Sequence, residues 1–368
     1  MRPTHFKTIT GQSIPLPVFF PDATRAVLKA LDSADIVGTK TPGILVNTFH
    51  LFSQPGLSVI KQFKGVRPFM DWGGGVISDS GGFQVMSLAK ADGNKNAVTD
   101  KGVTFKTQNL GKVFFTPEMS INMQFAIKSD MIVALDDFTP PNASPAESRE
   151  TVERTILWAK VCKKIFTKTC QERKIDPENQ PYLLGVVQGG DDLKLRTECT
   201  ERLVDIGFDG LGYGGWPLNE DGFNYDVAKT IAKNSPNNYL LYGLGVGKPD
   251  EIAGCARLGW QIFDCVLPTR DARHRRLYVY NADNIDHIDI NQSKFYSYYT
   301  PDKEIHYRSQ KPVSTACDCH LCTHYSRAYL GHLFRIGDMT AGRLATIHNL
   351  RFYSILMDKI REQVNPNS

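Results

Sequence analysis

Asp264 lies in the segment FDCVLPTRDARHRR, with Arg270, Arg273, His274, Arg275 and Arg276 directly behind it. A carboxylate can displace at a sugar C1′ and hold the glycosyl unit covalently, because the oxocarbenium-like transition state favours a nearby negative charge. The basic residues that follow would suit the phosphates of a nucleic acid. Taken alone, Asp264 would serve as well to cap a loop or pair with Arg270. Asp79, in ISDSGGFQ, precedes a glycine pair whose backbone can approach a ligand closely, and is the candidate acid/base. An Asx turn is the plainer use of Asp-Ser-Gly-Gly. Phe83 could stack on a base or fill the core. Asp136 and Gln188 offer acceptors and a donor suited to a purine-like edge, and Gly214 and Gly215 could add unobstructed backbone amides.

Three of the eight cysteines cluster as C-x-C-x2-C at Cys317, Cys319 and Cys322. Three thiolates and one imidazole complete a tetrahedral zinc shell with no open position, so the site should be structural. The imidazole would come from His348, inside a helical pattern, or from His320, His324 or His332 nearby. Cys162, Cys170, Cys199, Cys255 and Cys265 are scattered singly, which argues against a disulfide framework.

Elements must bring these residues together. Eight short β-rich runs recur: ILVN (44–47), VISD (76–79), MIVAL (131–135), LLGVV (183–187), GLGYG (210–214), YLLYGL (239–244), IFDCV (262–266) and LYVY (277–280). Longer stretches of helical spacing separate them, one of them opening with Ser144 as cap and Glu147 three residues on. Such alternation predicts parallel strands, and eight of them predict an α/β fold, a closed (β/α)8 TIM barrel. Active sites of that fold form at the C-terminal strand ends. Asp79 ends the second run, Asp136 and Gln188 the third and fourth, and Asp264 the seventh, so all four should face one pocket.

Neither a G-x-G-x-x-G after the first run nor a phosphate-binding G-x-x-x-x-G-K-[ST] is present, which counts against nucleotide-cofactor enzymes. A net charge of +4 is too small to announce a nucleic-acid partner by itself. With 41% hydrophobic residues, no apolar run near membrane-span length and no secretory pattern at the start, a cytoplasmic protein is expected, with no membrane partner.

The motifs NTFHL, SDSGGFQVMSL, GVTFK, VVQGG, GVGKPDEI, FDCVLPTR, CDCHLC, SRAYLGHL and LATIHNLRFY occur in an order that resembles the tRNA-guanine transglycosylases, also called queuine tRNA-ribosyltransferases. The likeness runs over most of the chain. It implies a barrel catalytic domain (1–283), an inserted zinc-binding subdomain (284–349) and a C-terminal helix packing back on the barrel (350–368). It also implies exchange of guanine at the anticodon wobble position of tRNA for a free 7-deazaguanine base, queuine or a precursor. Asp264 takes the nucleophile position and Asp79 that of the acid/base. Asp136, Gln188 and Gly215 fall where the family recognises the base, and Phe83 and Leu244 where it sandwiches it. Structural Zn2+ would be held by Cys317, Cys319, Cys322 and His348, and the segment Arg270–Arg276 would hold RNA phosphates. A homodimer is the expected assembly.

Two segments depart from bacterial members: DDFTPP replaces DECTP, and GGWPLNE replaces GGLAVGE. Phe138, Trp216, Pro217 and Leu218 should therefore reshape the pocket wall. Two competing readings are a transglycosylase acting on DNA or another RNA position, and a noncatalytic RNA-binding subunit. The second has no use for both Asp79 and Asp264.

Overall fold

The computed structural model describes residues 2–91, 97–107, 111–220 and 222–364. Eight parallel strands form one sheet: β1 (Val18–Pro21), β2 (Gly43–Asn47), β3 (Gly75–Asp79), β4 (Met131–Val133), β5 (Tyr182–Val187), β6 (Gly210–Tyr213), β7 (Leu240–Gly243) and β8 (Ile262–Cys265). In space they run β1-β8-β7-β6-β5-β4-β3-β2. The ring closes where Asp22, just past β1, bridges Leu45 of β2, with the Ala23 amide donating to the Leu45 carbonyl at 2.7 Å. The (β/α)8 TIM barrel expected from the alternation is therefore the fold.

Its strands differ from the expected set at both ends. LYVY is not a barrel strand: as β9 (Leu277–Tyr280) it pairs antiparallel with β10 (Tyr296–Tyr299), outside the ring. The missing barrel strand is β1, whose Val18, Phe19 and Phe20 lie between Pro17 and Pro21. Prolines remove ladder donors and read as strand breakers, and only a strand this short fits between two of them. Every later barrel strand thus moves up by one, and Asp79 ends the third while Asp264 lies on the eighth.

A period of two governs the barrel interior. Val18 and Phe20, Leu45, Ile77, Leu184 and Val186, Leu240 and Tyr242, and Ile262 point inward and form one apolar cluster. At the base, an N-terminal hairpin (His5–Lys7 with Ser13–Pro15) adds Phe6 and Ile14 to that cluster and plugs the barrel. Two residues beyond the last apolar inward position on six of the strands come Asp22, Asn47, Asp79, Gln188, Leu244 and Asp264. The alternation that fills the core therefore also builds the floor of the site, from one layer of side chains at the C-terminal strand ends.

Helices pack outside. Of these, α1 (Pro145–Glu172) opens with the expected capping box: the Ser144 hydroxyl accepts from the Glu147 amide at 3.2 Å, and Glu147 accepts from the Ser144 amide at 2.8 Å. Near the end of the chain, α2 (Leu267–Arg273), α3 (His320–His324), α4 (Arg327–Ile336) and α5 (Met339–Val364) follow β8. The long α5 is continuous through residues 349 and 350, carries His348, and packs on β1, β9 and α2. Among the described residues no helix is long and apolar enough to cross a membrane.

Candidate active site and metal centre

A cavity of about 480 Å³ opens at the C-terminal ends of the strands. Asp22, Asp79, Asp136 and Asp264 all line it, together with Asn47, Gly214, Gly215, Phe83 and Leu244. Four aspartates meet there, and Glu251, paired with Lys248 at 3.0 Å, adds a fifth carboxylate, against the three expected from the sequence.

Each of three carboxylates is held by a donor. On Asp264, Oδ1 accepts from the Tyr242 hydroxyl at 2.7 Å and from the Gly245 amide at 2.9 Å, while Oδ2 receives nothing from the described residues. Burial pushes this carboxyl up to about 6, against the pull of the Gly245 and Tyr242 donors. Asp79 accepts from the Asn47 side-chain amide at 2.7 Å, and Asn47 also donates to Gln84 at 2.9 Å. Burial raises the Asp79 pKa too, although the Gly81 and Ser80 amides oppose it. Asp136 accepts from the Gln188 side-chain amide at 2.6 Å and is pushed up to about 7, again chiefly by burial. Gln188 is fixed from its other end, its oxygen accepting from the Thr139 amide at 3.0 Å.

Gly214 and Gly215 follow β6. A Cβ on Gly214 would come within 2.6 Å of the Gln188 amide nitrogen and 2.7 Å of the Val187 carbonyl. Gly215 has φ +78, which favours glycine. Arg196, buried beneath them, donates to the Gly214 carbonyl at 2.9 Å and the Gly190 carbonyl at 2.8 Å, tying the two loops together. Phe83 is 52% exposed and meets Phe138 edge-on, with ring centroids 5.1 Å apart. Trp216, also 47% exposed, stands on the same rim with Pro217 and Leu218. Apolar surface left open beside buried polar groups suits a flat heteroaromatic ring.

The basic residues behind Asp264 differ in their surroundings. Arg270 lines the cavity and His274 is exposed. Arg273 donates to the Thr269 carbonyl at 2.7 Å, and Arg275 pairs with Asp302 at 2.7 Å. The Arg276 guanidinium lies over the Tyr298 ring, 5.1 Å from its centroid.

Away from the cavity, the sulfur atoms of Cys317, Cys319 and Cys322 and a ring nitrogen of His348 all lie within 4.8 Å of one another. The His348 Nδ1 is 3.4 Å from Cys319 Sγ and 3.3 Å from Cys322 Sγ. Its Nε2 faces the Tyr278 carbonyl at 2.7 Å, which assigns the proton to Nε2 and frees Nδ1 as ligand. Three soft sulfurs and one imidazole fit a tetrahedral ion with bonds of about 2.0–2.3 Å. The group could hold a metal ion, and its donor set is consistent with zinc.

The family model described as queuine tRNA-ribosyltransferase matches residues 1–368, the whole chain. The chain belongs to the queuine tRNA-ribosyltransferase family. Relatives carrying that name include one from Psychrobacter cryohalolentis, 36% identical over 351 residues, which are 95% of this chain and 86% of the relative. One from Acinetobacter baumannii strain ACICU is 37% identical over 360 residues, 97% of this chain and 89% of the relative. A third, from Psychrobacter sp. strain PRwf-1, is 36% identical over 361 residues, 97% and 88% of the two chains. Membership makes this an enzyme of the tRNA-guanine ribosyltransferase kind, and the TIM barrel fits it.

Within the queuine tRNA-ribosyltransferase barrel, sequence reasoning missed three residues that hold the site together and a fourth, Asp22, that lines it. Asn47 reads as a helix cap, which it also is, accepting from the His50 amide at 3.1 Å. Tyr242 reads as core. Arg196 reads as a surface helix residue. Asp22 follows a strand that its flanking prolines conceal. Inward alternation carried through to the strand ends would have found Asn47, Tyr242 and Asp22.

Proposed function

We propose that this chain exchanges guanine at the wobble position of a tRNA anticodon for a free 7-deazaguanine base by double displacement. The free Oδ2 of Asp264 attacks the ribose C1′, and the bond from C1′ to the base N9 breaks. Guanine leaves with a proton, for which Asp79 is the source. The incoming base then gives its N9 proton to Asp79 as N9 attacks C1′ and releases Asp264. Two inversions give net retention, and the RNA strand is never cut.

Asp136, Gln188 and Gly215 read the edge of the base, while Phe83 and Leu244 cover its faces. Arg270, Arg273, His274, Arg275 and Arg276 serve the RNA backbone, with Arg270 nearest the reacting nucleotide. Zinc in the Cys317, Cys319, Cys322 and His348 group is structural and takes no part in the chemistry. The division into a barrel (1–283), a zinc-binding subdomain (284–349) and a closing helical segment (350–368) is part of this reading, with α5 shared by the last two. So are a cytoplasmic location and, by analogy with the family, a homodimer.

The observation that carries the reading is the pairing of Asp264 and Asp79 in one polar layer, each anchored by its own donors and both facing one cavity. Unmodified tRNA labelled in its wobble guanine tests it. Label should be released only when a 7-deazaguanine is supplied, and queuine and its precursors compared in turn identify the base. Release from DNA but from no tRNA would replace this reading with the DNA one.

A pH profile follows from the same geometry. Asp264 must be ionised to attack, and its carboxyl is pushed up to about 6. The acid limb of kcat/KM should therefore fall through about pH 6 rather than about pH 4, where an unperturbed aspartate titrates. A profile still flat at about pH 5 would contradict an attacking carboxylate in this environment.

A further inference from the structure

Asp22 is the one of the four cavity aspartates for which no hydrogen-bond donor is found among the described residues. Its placement is nonetheless well fixed. On one side β1 pairs with β8, Phe20 opposite Asp264 and Pro21 opposite Cys265, so Asp22 comes one residue beyond the nucleophile's neighbour. On the other side Asp22 bridges Leu45, the Ala23 amide donates to the Leu45 carbonyl at 2.7 Å, and the Asn47 amide donates to the Thr24 carbonyl at 3.2 Å. Its side chain is aimed at the cavity by a backbone held on both flanks. A sheltered carboxyl left without a partner is costly, so a group held in this way is waiting for one from the substrate.

The ring order says which part of the substrate arrives there. Asp136, Gln188 and Gly215 follow β4, β5 and β6, on the opposite side of the barrel from β1. The base edge is accordingly read across the cavity, and β8, β1 and β2 surround the sugar. A phosphate would be repelled by Asp264, which must be ionised to attack and whose charge also faces Asp22. Beside a C1′ engaged by Asp264, the nearest substituent able to donate a hydrogen bond is the 2′-hydroxyl.

Resting on the exchange reaction proposed above, we infer that Asp22 accepts a hydrogen bond from the ribose 2′-hydroxyl of the target nucleotide and so makes the enzyme select RNA over DNA. The carboxyl oxygen can accept whether or not the group is protonated. A site that hydrogen-bonds a hydroxyl rejects an analogue lacking it far better than an apolar wall does.

The test uses two anticodon stem-loops of one sequence, differing only in a 2′-deoxy sugar at the target guanosine. Wild type should show a kcat/KM ratio favouring the ribose substrate by about 30-fold or more, the scale of leaving a sheltered acceptor unpaired. Asp22→Ala should bring the ratio to within about 3-fold, and Asp22→Asn, which keeps an acceptor oxygen, should retain most of it. Because each ratio is taken on one preparation, partial misfolding of a variant cancels. An Asp22→Ala ratio equal to that of wild type would overturn the inference alone. Failure of wild type to release guanine from the all-ribose loop would overturn the exchange reading, and this inference with it.

Discussion

With Asp264 replaced by asparagine, guanine release from unmodified tRNA is expected to fall by about 10⁴-fold or more, the scale on which a covalent nucleophile fails. An amide is a poor nucleophile and brings no negative charge to the oxocarbenium-like transition state. The substitution should leave the fold intact. Asparagine keeps an Oδ1 that can accept from Tyr242 and Gly245, the two donors that hold the native side chain at 2.7 and 2.9 Å. It also removes a carboxyl whose ionisation burial opposes. Initial rates of label release check the expectation, and a denaturing gel should show a protein–RNA adduct for wild type and none for Asp264→Asn. A variant within about tenfold of the wild-type rate would move the nucleophile elsewhere, with Asp79 the first alternative.

Loss of the metal centre is the second large effect. Stripping zinc with a chelator, or replacing Cys319 by alanine, is expected to lower the thermal midpoint by about 10 °C or more, since structural zinc contributes directly to folding. The ligands explain why the damage would spread. His348 sits on α5, the helix that packs on β1, β9 and α2, and its Nε2 meets the carbonyl of Tyr278 on β9. Metal content and unfolding should be measured together. One zinc per chain should vanish with Cys319→Ala and persist with Cys170→Ala, whose buried thiol lies apart from the cluster. A metal-free protein melting at the wild-type temperature would assign the four residues no structural role.

Much of the site was legible because its chemistry dictates residue type. A carboxylate at a strand end, a glycine pair that must stay small and a C-x-C-x2-C cluster stand out in a linear string, and the structure places Asp79, Asp136, Gly215 and Asp264 on one cavity, with Gln188 tied to it by its bond to Asp136. Supporting residues were harder to see, because their local roles are ordinary. Asn47 caps a helix while donating to Asp79. Tyr242 fills the interior while donating to Asp264. Neither second role exists until the ring closes. The fold class followed from alternation of strand and helix, yet β1 escaped because Pro17 and Pro21 frame it, and the hydrophobic LYVY run took its place. The basic residues after Asp264 differ in their surroundings: Arg270 lines the cavity, Arg275 pairs with Asp302 and Arg276 lies over the Tyr298 ring.

The layered interior has an evolutionary corollary. Beneath the polar layer, apolar residues from seven of the eight strands and the plugging hairpin make a finished core that owes nothing to the substrate. Each polar side chain above it belongs to a different strand, so one codon can change it without disturbing the packing below. Single substitutions in the upper storey can therefore retune the contact to a sugar or a base while the core beneath keeps its packing.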